Sequence, residues 1–356
     1  HMQRNFILTD VMKTGFHMDL ENFISMNTLE NQEFEMTGEY YSLHNYDLDT
    51  YDRKFAMIDT RWANERLKDN NEFHAELKRR CNLLHSQGFV FIKTNPWESL
   101  ENIENTPQHP EIDIEHIKWT GGVSWFWFYM YNKHYDKRDK FTQWDWGIDK
   151  IYDFLYLNKR RRPHRNNLWK GMSDAKLLGN SLTSFLEHKD GPVRLNADYE
   201  LPWVDAKNYP QRGMDQDLYE KPYNESKYSL ISETNDTDNE IFMTEKIWKP
   251  IIAQQVFIVH GNYLYLQKLR EIGFKTFGQY FNESYDLERD PNLRVKKLVN
   301  LCKDLLNKNW KDIYLQSVSL RKHNYDTFWN REKLSEEINK VLVNFLEFAD
   351  SGQVSS

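Results

Sequence analysis

Cysteine is scarce in this sequence, since Cys81 and Cys302 are the only two among 356 residues. Neither has a second Cys or a His nearby at a spacing that would bind a metal, so we expect neither a disulfide framework nor a structural zinc site. This cysteine usage favours a reducing compartment, and we expect a cytoplasmic protein. The chain also lacks a run of about 18 apolar residues and an opening signal peptide, so no transmembrane segment is predicted.

Several motifs of nucleotide-binding and hydrolytic enzymes are absent. The sequence has no GxGxxG and no GxxxxGK[ST], which disfavours a dinucleotide-dependent enzyme and a P-loop NTPase. It has neither GxSxG nor HExxH, which disfavours an α/β-hydrolase and a zinc peptidase. Asp-x-Asp triplets occur at 47–49, 215–217 and 236–238, but such triplets arise easily by chance among 54 Asp and Glu residues. We therefore predict no metal site.

Basic residues are too few for a broad nucleic-acid surface, because the formal net charge is −7. Hydrophobic residues make up 39% and charged residues 28% of the chain, a composition typical of a globular protein. A length of 356 residues is long for one core and suits two domains. Aromatic residues reach 15%, and although most should pack in the core, some can stack on a sugar or a base.

Strand-like and helical segments alternate twice along the chain. The first half predicts strands at 5–8, 54–60 and 89–94, a helix over 70–88 that Gly88 stops, and an aromatic strand over 119–135. The second half predicts strands at 151–158, 180–185, 227–234, 256–261 and 274–277. Its predicted helices lie at 166–178, 243–254, 263–273, 291–307, 310–323 and 331–348, with a long loop over 187–225.

This alternation predicts an α/β protein of two Rossmann-like domains that face a cleft, with a break near residue 145. We predict an N-terminal domain over 1–145 and a C-terminal domain over 146–330. The remaining residues, 331–356, are expected to form a helix that crosses back to the N-terminal domain, followed by a tail.

Polar residues follow the predicted strands 151–158 and 227–234 of the second domain, and polar residues also begin the predicted helix 243–254. They lie between Asn158 and Arg165, between Ser232 and Asn235, and at Thr244-Glu245-Lys246. The carboxyl ends of parallel strands meet at one edge of a sheet, where ligands bind. A helix N-terminus together with fixed cations suits a phosphate group.

Each residue type in these segments has a chemical role that a phosphorylated ligand would need. Arg165 can fork onto phosphate oxygens, whereas Lys246 would act as a point charge. Glu233 or Glu245 can accept hydrogen bonds from ribose hydroxyls. Alternatively, the basic segment 159–165 is a solvated turn or binds nucleic-acid phosphates. The alternative for Thr244 is that it only caps a helix.

Two segments resemble the donor-binding domain of the bacterial α1,3-fucosyltransferases. The first is "FLYLNKRRRPHRNNLWKGM", a strand and a polar segment that lead through Arg-Asn into a helix. The second is "YSLISETNDTDNEIFMTEKIWKPIIAQQVFIVHG", with Thr-Glu-Lys-Ile, a helix and a buried strand ending in Gly. The resemblance covers roughly 150–262. It implies a GT-B fold whose C-terminal domain binds a nucleoside-diphosphate sugar as donor substrate, with no metal and no cofactor.

The resemblance also implies roles for individual residues. Arg165 and Lys246 would bind the donor diphosphate, and Glu245 would bind the ribose. The further candidate donor-binding residues are Asn158, Glu233, Asn235 and Thr244. The sequence departs from the family where Ser-Glu-Thr-Asn replaces an adjacent Glu-Asn at 232–235, and where His-Gly replaces Trp-Gly at 260–261. We therefore do not assume that the sugar is fucose.

A transfer by direct displacement needs a general base that deprotonates the acceptor hydroxyl. Asp59 and Glu98 follow predicted strands of the N-terminal domain and are the catalytic candidates, although each can be an ordinary turn residue. Retaining GT-B enzymes often carry two Glu with seven residues between them, whereas Glu233 and Glu240 have six. This spacing favours inversion.

The sequence thus predicts a glycosyltransferase whose N-terminal domain binds an acceptor, expected to be a glycan. One alternative is a phage-type glycosyltransferase acting on hydroxymethylated bases in DNA, since the Asn-, Asp-, Lys- and Tyr-rich composition is typical of AT-rich bacterial or viral genomes. That alternative would use a basic groove formed by Arg61, Arg66, Lys68, Lys78, Arg79 and Arg80. The other alternative is a non-catalytic module that binds nucleotide sugars.

Overall fold

The computed structural model describes residues 4–10, 32–37, 47–51, 53–59, 71–95, 98–99, 117–120, 124–141, 149–199, 201, 217–236 and 240–337. The chain divides into two units. The first combines His1–Gly122 with Ser335–Ser356, and the second is Val123–Leu334. The predicted break near residue 145 falls inside the second unit. Most of the predicted C-terminal helix, over 331–348, lies outside the described residues.

The first unit contains a parallel sheet with the strand order β2-β1-β3-β4-β6. Its strands are β1 (Arg4–Asp10), β2 (Gln32–Thr37), β3 (Arg53–Asp59), β4 (Val90–Asn95) and β6 (Ile117–Thr120). The two-residue strand β5 is Glu98–Ser99. Strand β2 has no counterpart in the sequence prediction, because its alternating residues Glu33 to Thr37 form only a short run with two apolar residues inside a polar, acidic segment.

Helix α1 (Asn71–Ser86) connects β3 to β4, as the helical spacing predicts. Its residues Cys81 and Leu84 are buried. Gly88 follows the helix with a φ of 81°, a left-handed conformation that ends the helix. Glycine adopts this conformation at little steric cost because it has no Cβ atom. The strand–helix–strand order with parallel pairing confirms the α/β class for this unit.

The second unit contains a parallel sheet with the order β11-β9-β7-β8. Its strands are β7 (Tyr152–Asn158), β8 (Leu182–Phe185), β9 (Ser226–Ser232) and β11 (Phe257–His260), and the two-residue strand β10 is Glu240–Ile241. Every residue of β8 and β11 is buried. Burial on both faces is typical of a parallel sheet that is covered by helices, and it explains the continuous apolar runs of the sequence.

Most helices of the second unit lie where the sequence predicts helices, but those at 124–134, 138–141 and 220–225 lie in segments for which no helix is predicted. The helices of this unit include α2 (Ser124–His134), α3 (Arg138–Phe141), α4 (Pro163–Asp174), α5 (Glu220–Glu225), α6 (Glu245–Ile252), α7 (Tyr265–Glu271), α8 (Pro291–Leu306), α9 (Trp310–Gln316) and α10 (Val318–Phe328). Two predictions are wrong here. Residues 274–277 form no strand, and the predicted helix 310–323 is two helices that meet at Ser317.

The aromatic segment predicted as a strand over 119–135 is mostly helix α2. Aromatic residues favour strands locally, but they occupy six of the seven positions over 125–131, so the hydrophobic pattern has no period there. Tertiary packing decides the conformation. The Trp127 ring stacks against Trp248 at a centroid distance of 5.6 Å, and its Nε1 donates to the carbonyl of Phe328 at 2.9 Å. Because Trp127 is fully buried, these contacts anchor α2 in the second unit.

A close approach between α4 and α8 occurs at a glycine. A Cβ atom added to Gly171 would lie 2.8 Å from Cγ2 of Val299. Val299 is β-branched and nearly buried, so it cannot rotate away freely. Gly171 therefore sets the spacing of these two helices.

We expect Gly171→Ala to destabilise the protein. Alanine gains roughly 1 kcal/mol of helix propensity, but overpacking costs about 1–3 kcal/mol. In a Val299→Ala background the clash is absent, so the same substitution should stabilise. Denaturant unfolding of the four proteins measures this, and an equal loss in both backgrounds would contradict the packing argument.

Candidate functional site

A cavity of about 330 Å³ lies within the second unit, beside strands β7 and β9. Leu155 and Leu157 of β7 line it, as do Ser229 to Ser232 of β9. Helix α6 supplies another wall through Glu245, Lys246, Lys249 and Pro250. Ligands of open parallel sheets bind near the carboxyl ends of the strands, and this cavity has that position.

The lining of this cavity is strongly basic. Its basic residues are Lys159, Arg160, Arg162, Arg165, Lys246 and Lys249. Glu245 is the one carboxylate among the described residues that line it. The whole chain has a net charge of −7, so this excess of positive charge is local to the cavity rather than a general property of the protein. We call it the cationic cavity, and an anion is the ligand that its charge favours.

The N-terminus of α6 holds Lys246 against the wall of the cationic cavity. Thr244 is the N-cap residue, and its Oγ1 accepts from the backbone N–H of Lys246 at 3.4 Å. The Lys246 ammonium donates to the same Oγ1 at 3.0 Å and to Oε1 of Glu245 at 2.8 Å. Thr244 is therefore a helix cap, as the alternative proposed, and it also positions the Lys246 ammonium.

Glu245 is a buried carboxylate held in its ionised form. Burial alone raises its pKa, but the nearby ammonium groups of Lys246 and Lys249 outweigh burial and lower the pKa. Lys249 follows Lys246 by three residues, so both lie on one face of α6. The Glu245 carboxylate is therefore a negative group within a positively charged environment, and it can accept hydrogen bonds from ligand hydroxyls.

Glu233 lies behind the wall of the cationic cavity rather than in its lining. Its carboxylate is fully buried and accepts from the Thr244 backbone N–H at 3.1 Å and the Thr244 hydroxyl at 2.6 Å. The Tyr265 hydroxyl donates to it at 2.7 Å. Burial raises the pKa of Glu233, although Lys246 opposes this. In this geometry Glu233 positions the start of α6.

Asn158 and Asn235 are also buried outside the lining. Asn235 Oδ1 accepts from Nδ2 of Asn262 at 2.6 Å, and Asn262 Oδ1 accepts from the backbone N–H of Phe242 at 3.1 Å. Asn158 is the last residue of β7. A donor-binding role for either residue stays a prediction from the sequence.

Arg165 lines the cationic cavity, but most of its guanidinium faces backbone carbonyls. Nε and Nη2 donate to the carbonyl of Glu233 at 3.2 and 2.9 Å, and Nη2 also reaches the carbonyl of Ser232 at 3.3 Å. Nη1 donates to the carbonyl of Arg160 at 3.2 Å. Of five N–H groups, one on Nη1 remains for a ligand. Arg165 thus joins the end of β9 to the segment after β7.

Several residues of the lining were missed by the sequence reasoning. Arg160 and Arg162 lie in the basic segment 159–165, and the helical spacing between Lys246 and Lys249 is the sequence signal that identifies Lys249. No sequence signal assigns Phe126 or Phe242 to a site. Their rings pack edge to face with a centroid distance of 5.6 Å, and both line the cavity. Tertiary packing brings them to the cationic cavity.

Tyr223 adds a buried aromatic ring to the lining. Its backbone carbonyl accepts from the Lys150 ammonium at 3.0 Å and from Nε2 of Gln255 at 3.0 Å. Gln255 also bonds to the hydroxyl of Ser229, which lines the cavity. The cavity therefore combines a basic part with an aromatic and aliphatic part, a combination that suits a nucleotide.

The two candidate bases both follow strands of the first sheet. Asp59 is the last residue of β3, and Glu98 begins β5 three residues after β4 ends at Asn95. Strands β3 and β4 are parallel neighbours, and Asp59 is in register with Thr94. The backbone therefore places both residues on the carboxyl side of adjacent strands. A role as general base stays a prediction.

The other predicted features receive no added support. Arg79 and Arg80 form ion pairs with Glu76 on α1, whereas Arg61, Arg66 and Lys68 lie outside the described residues. Within the described part of the chain, no cluster of three or more His, Cys, Asp or Glu is arranged to hold a metal. Among the helices described, none is long and apolar enough to span a bilayer.

The Thr244 hydroxyl links Glu233 to Lys246 at the start of α6, and substitution by valine removes this hydroxyl without changing the shape of the side chain. Thr244→Val should destabilise the protein by about 1–3 kcal/mol, because the cap is lost and Glu233 loses a buried donor. Thr244→Ser keeps the hydroxyl and should cost clearly less. Denaturant unfolding compares the two variants, and equal losses would show that the hydroxyl is unimportant.

The buried ammonium of Lys150 predicts a pH dependence of stability. Burial, with Arg321 nearby, lowers its pKa from 10.5 to about 8. Between these values the unfolded chain binds the proton and the folded chain does not, so stability rises with pH, by up to about 3 kcal/mol. Lys150→Met should lack this rise when unfolding free energies at pH 7.5 and 10 are compared with the wild type. An identical pH response in both proteins would refute the assignment.

Comparison with known proteins assigns no family to the chain. No model of a known protein family matches it, and no curated protein matches it. Among solved structures it is similar to one titled "Crystal Structure of alpha1,3-Fucosyltransferase", with a TM-score of 0.47 and 11% sequence identity. That similarity covers 99% of this chain and 91% of the other. An identity and a TM-score this low do not establish family membership.

Proposed function

We propose that this protein is a glycosyltransferase that moves a sugar from a nucleoside-diphosphate sugar to an acceptor hydroxyl. The observation that carries the proposal is the cationic cavity, where six basic residues and one carboxylate share a lining with aromatic and aliphatic side chains. A nucleoside diphosphate offers the matching chemistry, with two phosphate charges, a ribose with hydroxyls and an apolar base.

The start of α6 supports placing the diphosphate near Lys246 and Lys249. The helix dipole and free N–H groups favour an anion at a helix N-terminus. Lys246 keeps one N–H beyond those given to Thr244 and Glu245, and its side chain is 26% exposed. The Glu245 carboxylate, ionised beside these lysines, would accept from the ribose. Thr244 and Glu233 would act by holding α6 in place.

The reaction would be a direct displacement at the anomeric carbon, with inversion and without a metal. Negative charge builds on the leaving diphosphate, and fixed cations stabilise it without reorganising. Asp59 or Glu98 would take the proton from the acceptor, which we propose is a glycan. A GT-B arrangement of the two parallel-sheet units is part of this proposal, and it rests on the sequence resemblance.

A binding experiment tests the donor site. UDP, GDP, CDP, dTDP and their sugars are titrated calorimetrically into the wild type, Lys246→Ala and Lys249→Met. One nucleotide should bind selectively, and each variant should lose about tenfold or more in affinity, the size of a lost charge-assisted contact. Lys322→Ala is the matched control, because Lys322 is exposed and pairs with Asp326 instead. The absence of binding to every nucleotide would sink the proposal.

A turnover experiment separates an enzyme from a binding module. Release of the nucleoside diphosphate is followed with a panel of glycan acceptors, for the wild type, Asp59→Asn and Glu98→Gln. The proposal expects acceptor-dependent release that one of the two variants abolishes while donor binding persists. Donor binding without release over the whole panel would favour the non-catalytic module, and release only with hydroxymethylated DNA would favour the DNA-modifying alternative.

A further inference from the structure

Two arginines of the cationic cavity have no partner for their guanidinium groups in the described part of the chain. Arg160 and Arg162 both line the cavity and follow strand β7. The other arginine in the lining, Arg165, already donates to the carbonyls of Ser232, Glu233 and Arg160. We call Arg160 and Arg162 the rim arginines, because Arg160 is exposed and Arg162 is half-buried.

Among the residues that the structure describes, no acidic side chain pairs with the guanidinium of either rim arginine. Lys246 is paired with Glu245, and Arg165 lies beside the buried Glu233, whose charge favours the charged guanidinium. Arg162 instead faces Arg165 and His164, where it adds positive potential. Because both rim arginines are positively charged and line one cavity, an anion that joins them offsets their mutual repulsion.

Depth separates Arg160 from Lys249 within the basic lining of the cavity. Lys249 is 4% exposed, whereas Arg160 is open to solvent. A diphosphate that binds Lys246 and Lys249 uses both of its negative charges there. The part of the ligand near Arg160 and Arg162 is then the part closest to solvent. We place the sugar there, because the sugar to be transferred must meet an acceptor that comes from outside the cavity.

We propose that the donor carries a third anionic group, a carboxylate or phosphate on its sugar, and that the rim arginines bind it. This inference rests on the proposed function. Arginine suits the role because its planar fork binds two oxygens of a carboxylate or phosphate at once. Arg165 supports the site by holding the Arg160 carbonyl, and so fixes the segment that carries both rim arginines.

The test compares matched neutral and acidic donors. UDP, UDP-glucose and UDP-glucuronate are titrated calorimetrically, or GDP, GDP-mannose and GDP-mannuronate if guanine is the preferred base. The wild type should bind the uronate about tenfold or more tightly than the neutral sugar. Arg160→Ala and Arg162→Ala should each reduce that preference to within about twofold, because they should weaken binding of the uronate far more than binding of the neutral sugar.

Arg161→Ala is the control for these variants. Arg161 lies between the two rim arginines and carries the same charge, but it does not line the cavity. The control should keep the full preference for the uronate. Equal affinity of the wild type for both sugars, with binding of the free nucleotide intact, overturns this inference and leaves the proposed function standing. A preference that survives both rim substitutions also overturns it, and failure of every nucleotide to bind overturns both.

Discussion

The buried carboxylate of Glu233 is the group on which the geometry of the second unit depends. It accepts hydrogen bonds from Thr244 at the start of α6 and from Tyr265 in α7. Its backbone carbonyl accepts from Arg165 and from Nε2 of His164, both on α4. One residue at the end of β9 therefore fixes the ends of three helices. A buried charge is tolerated only when it is satisfied in this way.

This arrangement also explains why the two neighbouring carboxylates respond differently to burial. Glu233 has its pKa raised, because burial outweighs the ammonium of Lys246, which contacts Glu245 and Thr244 rather than Glu233 itself. Glu245 has its pKa lowered, because Lys246 and Lys249 are close enough to outweigh burial. The first group is suited to hold structure, and the second to present a negative charge inside the cationic cavity. Position relative to the lysines, rather than depth, separates their roles.

The aromatic core around Trp127 shows a second constraint. The Trp127 ring contacts Trp248 of α6 as well as Phe274 and Phe328. Helix α6 is thus fixed at its start by hydrogen bonds and along its buried face by stacked rings. Because Lys246 and Lys249 belong to this helix, the contacts that position the helix also position these two lysines at the cavity wall. The position of the basic wall is therefore set in part by Glu233 and by the rings of Trp127 and Trp248, none of which lines the cavity.

Local patterns in the sequence are enough to predict the α/β class, the helix that Thr244 caps, and the basic segment after β7. Caps, apolar periods and charge runs are short-range features. Tertiary packing makes α2 a helix, because its aromatic run has no period that would select a conformation. It also decided that Arg165 faces carbonyls while Arg160 and Arg162 face the cavity. Neighbouring arginines are alike in sequence, and only the path of the chain determines which of them meets a backbone acceptor.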